Sequence, residues 1–466
     1  MIIKNLLEFQ IFENKVNFFQ AFTYSFIITF SLILLINQTS AKVIYLFLAL
    51  IVGLISSFSP QAFIFLLIFI IVTPKFAQIH HSILYSLFII PTFLFNYSSL
   101  SGQNVRNVLL KPLIIFILLT SISLVNAPKN IFTFFEYFNL IALFLIVVLS
   151  PYVLKYIENI LTIFNLFILF MTIHSVYVII FAISLKMRAF GLLGVYYVDF
   201  AGLAFLYSLL MYLYSFNLKR FFYALTSLIN LTGLILSQTR NAWLSTFLIL
   251  LIIILLLSLK GEKFHIKKKT VMILSTFIIF LGLVGFLIIQ ITTQTSLNRI
   301  DIESQSTQLT DNTESVNENS FVSRLFIWHT AINAFRTEPI IGIGMYSFKY
   351  TTHKYYTIPK PFFKQFVENK TPHISYLEIL VEAGIIGFLG FIYFLFVVFR
   401  QSLNLFRANP LNPVNARARL LIIITVFYVI VSMFMTEAWV YGQYLVWFGI
   451  ILGALIAEQN RSAQNV

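Results

Sequence analysis

The chain has no cysteine in 466 residues. That excludes disulfides, thiolate nucleophiles and cysteine-ligated metal or iron–sulfur sites, and it says nothing of compartment. Charge is scarce too: Asp, Glu, Lys and Arg make up 10% of the residues, where an ordinary soluble domain carries about 25%. Acid is the scarcer sign, 17 Asp and Glu against 31 Lys and Arg, for a net charge of +14. No GxxxxGK[ST] loop, HExxH pair or DxD-like cluster occurs, so nucleotide hydrolysis and zinc proteolysis have no support and no metal or cofactor is expected. Internal repeats, parallel or inverted, are missing as well, which counts against many transporter architectures. The first residues, MIIKNLLEFQIFENKVNFF, mix acids and bases without a small-residue cleavage site, so no signal peptide is expected.

What the chain does contain is apolar. Hydrophobic residues reach 59%, with 53 Phe and a mean hydropathy of +0.91. They recur in long blocks rather than in amphipathic stripes or in alternating segments of ~10 residues, so an all-α polytopic membrane protein is expected and a β-barrel is not. The blocks fall at about 19–36, 43–58, 61–74, 82–96, 112–126, 132–150, 159–184, 195–216, 221–237, 241–259, 271–291, 376–399, 420–435 and 439–457. The third and fourth are short against the ~20 residues that a straight span needs. The expectation is therefore 12–14 transmembrane helices.

Basic residues set the orientation. Lys260, Lys263, Lys267, Lys268 and Lys269 form the strongest cluster, and Arg400, Arg407, Arg417 and Arg419 the next. With fourteen spans threaded, 17 bases fall on that side and 6 in the opposite short loops. The positive-inside rule then places both termini in the cytoplasm, in a multi-pass protein of the cytoplasmic (inner) membrane. The same rule accounts for the basic balance without nucleic acid, and the expected surroundings are membrane lipids. Few ionisable residues lie within spans. His174 is the plainest, and it suits a helix–helix hydrogen bond as well as a relay.

The expected division is a helix bundle over 1–291, one large exterior loop over 292–375 containing short helices, and C-terminal membrane helices over 376–466. The loop opens on a polar, acidic tract with Asp301, Glu303, Asp311, Glu314 and Glu318, too poor in apolar side chains to fold alone. A helix capped by Ser320 or Ser323 should follow, running to about Arg336 with Phe321, Leu325, Trp328, Ile332 and Phe335 as its apolar stripe. Pro339 ends it, and Gly342 and Gly344 allow a tight turn or a close backbone approach. The remaining run, KYTTHKYYTIPKPFFKQFVENKTPH, interleaves Lys with aromatic rings and suits a membrane interface.

Candidates for chemistry gather on the exterior side. Arg240, in QTRNAWLS, occupies a very short turn between two spans, where it either meets an anion or snorkels to lipid phosphates. Arg324 falls in the expected first turn of the loop helix, where a cation and the free N–H groups can grip one phosphate; a solvated surface arginine is the plainer account. Arg188 is a weaker case of the same kind. His373 lies where the loop returns to the membrane, placed either as general base or as an interfacial histidine with one backbone partner. Glu378 and Glu382 follow on the helix it precedes, and carboxylates are rare in membrane helices. Glu437 is a further exterior acid. Together these groups suit an anionic, lipid-linked substrate, because the planar guanidinium matches phosphate bidentately.

Three stretches resemble the O-antigen ligase/O-antigen polymerase family: Ser237–Trp243 (SQTRNAW), Arg324–Phe335 with Pro339–Gly344 (RLFIWHTAINAF, PIIGIG), and His373–Gly387 (HISYLEILVEAGIIG). The close motifs cover about Ser237–Gly387, and the flanking helices match in layout alone. Where that family carries an Asn-Pro-Asn-like element before the eighth span, this chain has Tyr196-Tyr197-Val198-Asp199; Ile374 follows the histidine where Asn is frequent. The resemblance implies a membrane glycosyltransferase; a direct single displacement would invert the anomeric carbon, and no metal is needed if the arginines carry the charge. Such an enzyme would move glycan from undecaprenyl diphosphate to an acceptor, lipid A-core in a ligase or another lipid-linked repeat unit in a polymerase. It also implies that Arg240 and Arg324 hold the diphosphate and that His373 is the essential loop-end histidine. Arg188, Trp328, Glu378 and Glu382 are then expected to line the substrate. A flippase or exporter of lipid-linked sugars is the alternative of another class; it would need charges deep within helices, and here they collect on one face.

Overall fold

The computed structural model describes residues 89, 106–128, 131–185, 197–260, 264, 266, 320–436 and 442–464, and every regular element among them is helical. The helices are α1 (Leu110–Ile122, continued by a 3₁₀ turn at Ser123–Val125), α2 (Ile131–Val153), α3 (Ile157–Leu185), α4 (Tyr197–Leu213), α5 (Asn217–Leu236) and α6 (Arg240–Lys260). After residues not described come α7 (Ser320–Thr337), α8 (Phe348–Thr351), α9 (Lys360–Phe366), α10 (Ser375–Arg407), α11 (Pro413–Ser432) and α12 (Gly442–Gln464). Among the described residues, six helices (α2, α3, α6, α10, α11 and α12) are long and apolar enough to cross a membrane, and α1 and α4 are shorter apolar helices. The protein is an all-α polytopic membrane protein. The expected segments before residue 97, Ile89 apart, the one at about 271–291, the acidic tract, Arg188 and Glu437 lie outside the described residues.

Lipid tails are as apolar as leucine, so close contact and internal hydrogen bonds, not hydrophobicity, select which helix faces meet. Gly449 and Gly453 are four apart on α12 and face α2. A Cβ on Gly453 would lie 1.8 Å from Ser150 Oγ, and one on Gly449 would lie 3.0 Å from Ile146 Cγ2. Helix α5 is built inside out. Phe221, Phe222, Leu225 and Leu228 are exposed, whereas Thr226, Ser227 and Asn230 are buried. Asn230 joins a chain across α3, α4 and α5: the Tyr197 hydroxyl donates to Ser175 Oγ (2.8 Å), Ser175 donates to Asn230 Oδ1 (2.8 Å), and Asn230 Nδ2 donates to Thr172 Oγ1 (2.9 Å).

The opposite ends of α11 and α12 hold an ionic cluster. Arg419 Nε donates to Glu458 Oε1 at 2.8 Å, Arg461 Nη1 to Glu458 Oε2 at 2.6 Å, and Asn415 Nδ2 to Glu458 Oε1 at 3.3 Å. Arg419 is 1% exposed and Glu458 0%. Arg419, one of the arginines that argue for orientation, is thus bound internally beside Arg461, both held by one carboxylate. Removing one partner from a buried pair leaves an uncompensated charge, worth about 3–5 kcal/mol. Glu458→Ala is therefore expected to lose that much stability, read as an earlier thermal unfolding transition in detergent. Removal of the exposed Arg407 side chain should leave the transition in place.

Candidate functional site

The two loop motifs form one hydrogen-bonded unit. Within α10, Gly384 adopts φ 63°, ψ −171°, which interrupts the helical ladder. The carbonyls and amides set free on either side are taken by Pro339–Gly344. Ile343 N donates to Val381 O (3.1 Å) and Gly344 N to Glu382 O (2.9 Å), while Ile385 N donates to Pro339 O (2.9 Å) and Ile386 N to Ile340 O (3.2 Å). Non-helical backbone near a membrane span is tolerated where protein groups satisfy it. The contact is too close for side chains: a Cβ on Gly342 would lie 2.4 Å from Glu382 O. The end of α1 closes the other side, with Asn126 Nδ2 donating to Gly342 O at 2.9 Å and Met345 N to Ser123 Oγ at 3.0 Å.

The Glu382 side chain fixes the next few residues. It is 2% exposed, and its two carboxylate oxygens accept from Tyr346 N (2.7 Å) and Phe348 N (2.9 Å). Glu136 of α2 pairs with Lys349. Burial pulls the Lys349 pKa down, but the charge of Glu136 and its hydrogen bond outweigh that, with a smaller contribution from Tyr350, and leave the pKa above its ordinary value. Burial first, and then the charges of Glu136, Glu382 and Glu378, push the Tyr346 phenol well above its ordinary range, so it stays protonated.

Helix α7 holds the far end of the loop. Its Trp328 Nε1 donates to Pro372 O at 2.9 Å, one residue before His373. His373 is half-buried and has φ 58°, a left-handed conformation uncommon outside glycine. After it, Ser375 N donates to Met433 O (3.0 Å) and Thr436 O (3.2 Å), at the end of α11. The histidine is therefore pinned on both sides. Trp328→Phe keeps most of the ring and loses the donor. It should cost about 1 kcal/mol of stability and speed amide exchange around residues 373–375, measured by mass spectrometry; unchanged exchange would show that the tryptophan does not hold this segment.

Arg240 is the first residue of α6 and is exposed, after a turn of three residues from α5. Its neighbour Asn241 donates through Nδ2 to Met435 O at 2.7 Å. The Arg240 turn and the His373 segment thus attach to the same stretch of chain, Met433–Thr436.

Residues 223–392 match the family model described as O-antigen ligase. The chain carries an O-antigen ligase family domain. This is a family of membrane glycosyltransferase type. A comparison with curated proteins finds no match.

The O-antigen ligase domain spans Arg240, Arg324, Trp328, His373, Glu378 and Glu382. The structure differs from the expectations in three respects. First, α7 begins at Ser320, so Arg324 lies in its second turn, where its amide is past the free N–H groups of the helix start. Ser323 is no cap; its Oγ donates to Phe366 O at 3.0 Å. Second, the buried face of α7 is Ile327, Ala331 and Ala334, while Leu325 and Ile332 of the expected stripe are exposed. The small alanines allow α9 and its rings to approach closely. Third, the Lys/aromatic run folds onto α7: Phe363, Phe366 and Val367 join Ile327, Ala331 and Ala334 in a small core, with Tyr355 and Tyr356 packed against it. Phe362 remains exposed beside Lys360 and Lys364. Glu378 is buried in the first turn of α10. That Asn241, Ser375 and the Met433–Thr436 turn meet was not legible from sequence, because their contacts rest on one amide and on main-chain carbonyls.

Proposed function

We propose that the protein transfers glycan from undecaprenyl diphosphate to an acceptor hydroxyl at the outer face of the cytoplasmic membrane, as an O-antigen ligase with lipid A-core as acceptor. One observation carries this reading. The family segment contains two arginines and a histidine whose supporting backbone is joined through Trp328–Pro372, Ser375–Met433 and Asn241–Met435. The exterior location and cytoplasmic termini rest on the distribution of Lys and Arg.

In the proposed reaction the acceptor oxygen attacks the anomeric carbon. The new C–O bond forms as the bond to the diphosphate oxygen breaks, and a single displacement inverts the configuration. Undecaprenyl diphosphate departs with the electron pair, and the hydroxyl proton passes to a base. Negative charge grows on the leaving oxygen. Guanidinium groups fixed beside it stabilise the transition state more than the ground state, so the step needs no metal. Arg240 and Arg324 take this role, and His373 orients or deprotonates the acceptor hydroxyl. Glu382 holds backbone amides with both of its oxygens, which suits it to shaping the site rather than to accepting the proton. Trp328 and Glu378 line the substrate in this reading, with Arg188 as a further anion contact.

Two measurements test it. Purified protein in liposomes, given undecaprenyl-diphosphate-linked glycan and lipid A-core, should yield glycosylated core lipid. A deletion strain should accumulate long glycan chains still on undecaprenyl diphosphate. Single repeat units in that strain would identify a polymerase instead. Glycan that crosses vesicle membranes without ever being transferred would identify an exporter.

A further inference from the structure

The turn from Met433 to Thr436 has no charged side chain and no part in the chemistry above, yet its carbonyls collect both halves of the site. Met433 O and Thr436 O accept from Ser375 N at 3.0 and 3.2 Å, and Thr436 O accepts again from Ser375 Oγ at 3.0 Å. Met435 O accepts from Asn241 Nδ2 at 2.7 Å. Ser375 lies two residues after His373, and Asn241 directly follows Arg240.

The turn is itself held firmly. Met433 N donates to Val429 O (3.1 Å), and Met435 N and Thr436 N both donate to Ser432 O (2.8 Å). The Thr436 hydroxyl donates to Ser432 O as well (3.0 Å). The rings of Tyr376 and Phe434 stack with centroids 4.1 Å apart, and the Tyr376 hydroxyl donates to Ile430 O at 3.2 Å. On the His373 side, then, several bonds and a ring stack fix the turn to the start of α10. On the Arg240 side α6 packs against α11, and the Asn241 amide reaches the turn itself across 194 residues of sequence.

We infer that Asn241 is a positioning residue, whose amide, through the Met435 carbonyl, sets the spacing between Arg240 and His373. The inference rests on the glycosyl-transfer reading above. The chemistry of the residue fits the task. A carbonyl needs a donor, and an asparagine amide supplies N–H on a side chain with two rotatable bonds, so little slack separates Arg240 from the turn. It is the Nδ2 donor, not the oxygen by which an asparagine serves free N–H groups at a helix start, that reaches the distant carbonyl. Misplacing a group by about 1 Å in such a site can cost about 10²-fold in rate. A residue that merely fastens two helices would lower stability without acting selectively on kcat.

The missing cysteines make the geometry measurable. Leu244→Cys, exposed on α6, and Thr371→Cys, just before His373, accept a pair of spin labels. Asn241→Asp is nearly isosteric but presents oxygen to the Met435 carbonyl, whereas Asn241→Gln keeps the amide. In this labelled background, Asn241→Asp should lose about 10²-fold in kcat with the donor KM changed only a few-fold. Its label-to-label distance distribution should shift or broaden, and Asn241→Gln should restore part of both signals. If Asn241→Asp does not assemble, Asn241→Ser removes the amide with less repulsion and carries the same expectations. Wild-type kcat or an unaltered distance distribution in the variant, beside an active parent protein, overturns the inference alone. A parent protein that transfers no glycan overturns the functional reading and this inference with it.

Discussion

Arg324→Ala and Arg240→Ala are each expected to lower kcat for glycan transfer by about 10²–10³-fold, the loss seen when one preorganised donor to a developing oxyanion is removed. Arg324 is half-buried on α7, within a helix already tied to the His373 segment through Trp328. Arg240 stands exposed at the start of α6. If both grip one diphosphate, the double variant should lose less than the sum of the two effects expressed as free energies. Arg336, exposed near the end of the same helix α7, provides the control, and Arg336→Ala should transfer normally. His373→Ala should fall by about 10²–10⁴-fold, the range for a lost general base. Turnover by purified protein in liposomes reads all five variants. Wild-type rates in Arg324→Ala and His373→Ala would remove the assignment.

Gly384→Ala should be strongly damaging. At φ 63° and ψ −171° the residue lies in a region essentially restricted to glycine, where another residue costs about 1–3 kcal/mol in strain alone. The added Cβ would also stand 2.3 Å from Ile340 O and 2.6 Å from Gly342 N, both backbone atoms that cannot yield without breaking the joint between the two loop motifs. Total stabilities of about 5–15 kcal/mol leave little margin for that combination. Gly390→Ala is the comparison. Its nearest contact would be the end of the flexible Leu119 side chain at 3.0 Å, so it should assemble. Monodisperse yield and thermal unfolding in detergent distinguish them; equal behaviour would mean that the interruption in α10 is not structurally required.

Long apolar blocks identified the membrane helices well, because span length follows from bilayer thickness and is written in local composition. Expected segments at about 132–150, 159–184 and 241–259 correspond to Ile131–Val153, Ile157–Leu185 and Arg240–Lys260. Pro339 and the glycines at 342 and 344 marked the end of α7 and the turn beyond it. The buried face of α7 was not legible. Phe321, Leu325, Trp328, Ile332 and Phe335 have the period of an amphipathic helix, yet the packed face is Ile327, Ala331 and Ala334. Beside a membrane, apolar character does not single out the interior, and small side chains that permit close approach win.

By itself, then, the sequence determined the class of the protein, the positions of the described membrane helices and the identity of its candidate arginines and histidine. Those follow from local composition, spacing and motif. The tertiary structure alone decided that Pro339–Gly344 seats in the interruption at Gly384, that Trp328 holds the residue before His373, and that Asn241 and Ser375 share the turn after α11. Each of these joints is a hydrogen bond to main chain, and the side-chain bonds among them link residues from 44 to 194 positions apart. Every residue offers the same carbonyl and amide, so no side-chain pattern announces which will be used, and only the folded arrangement of the helices makes the choice.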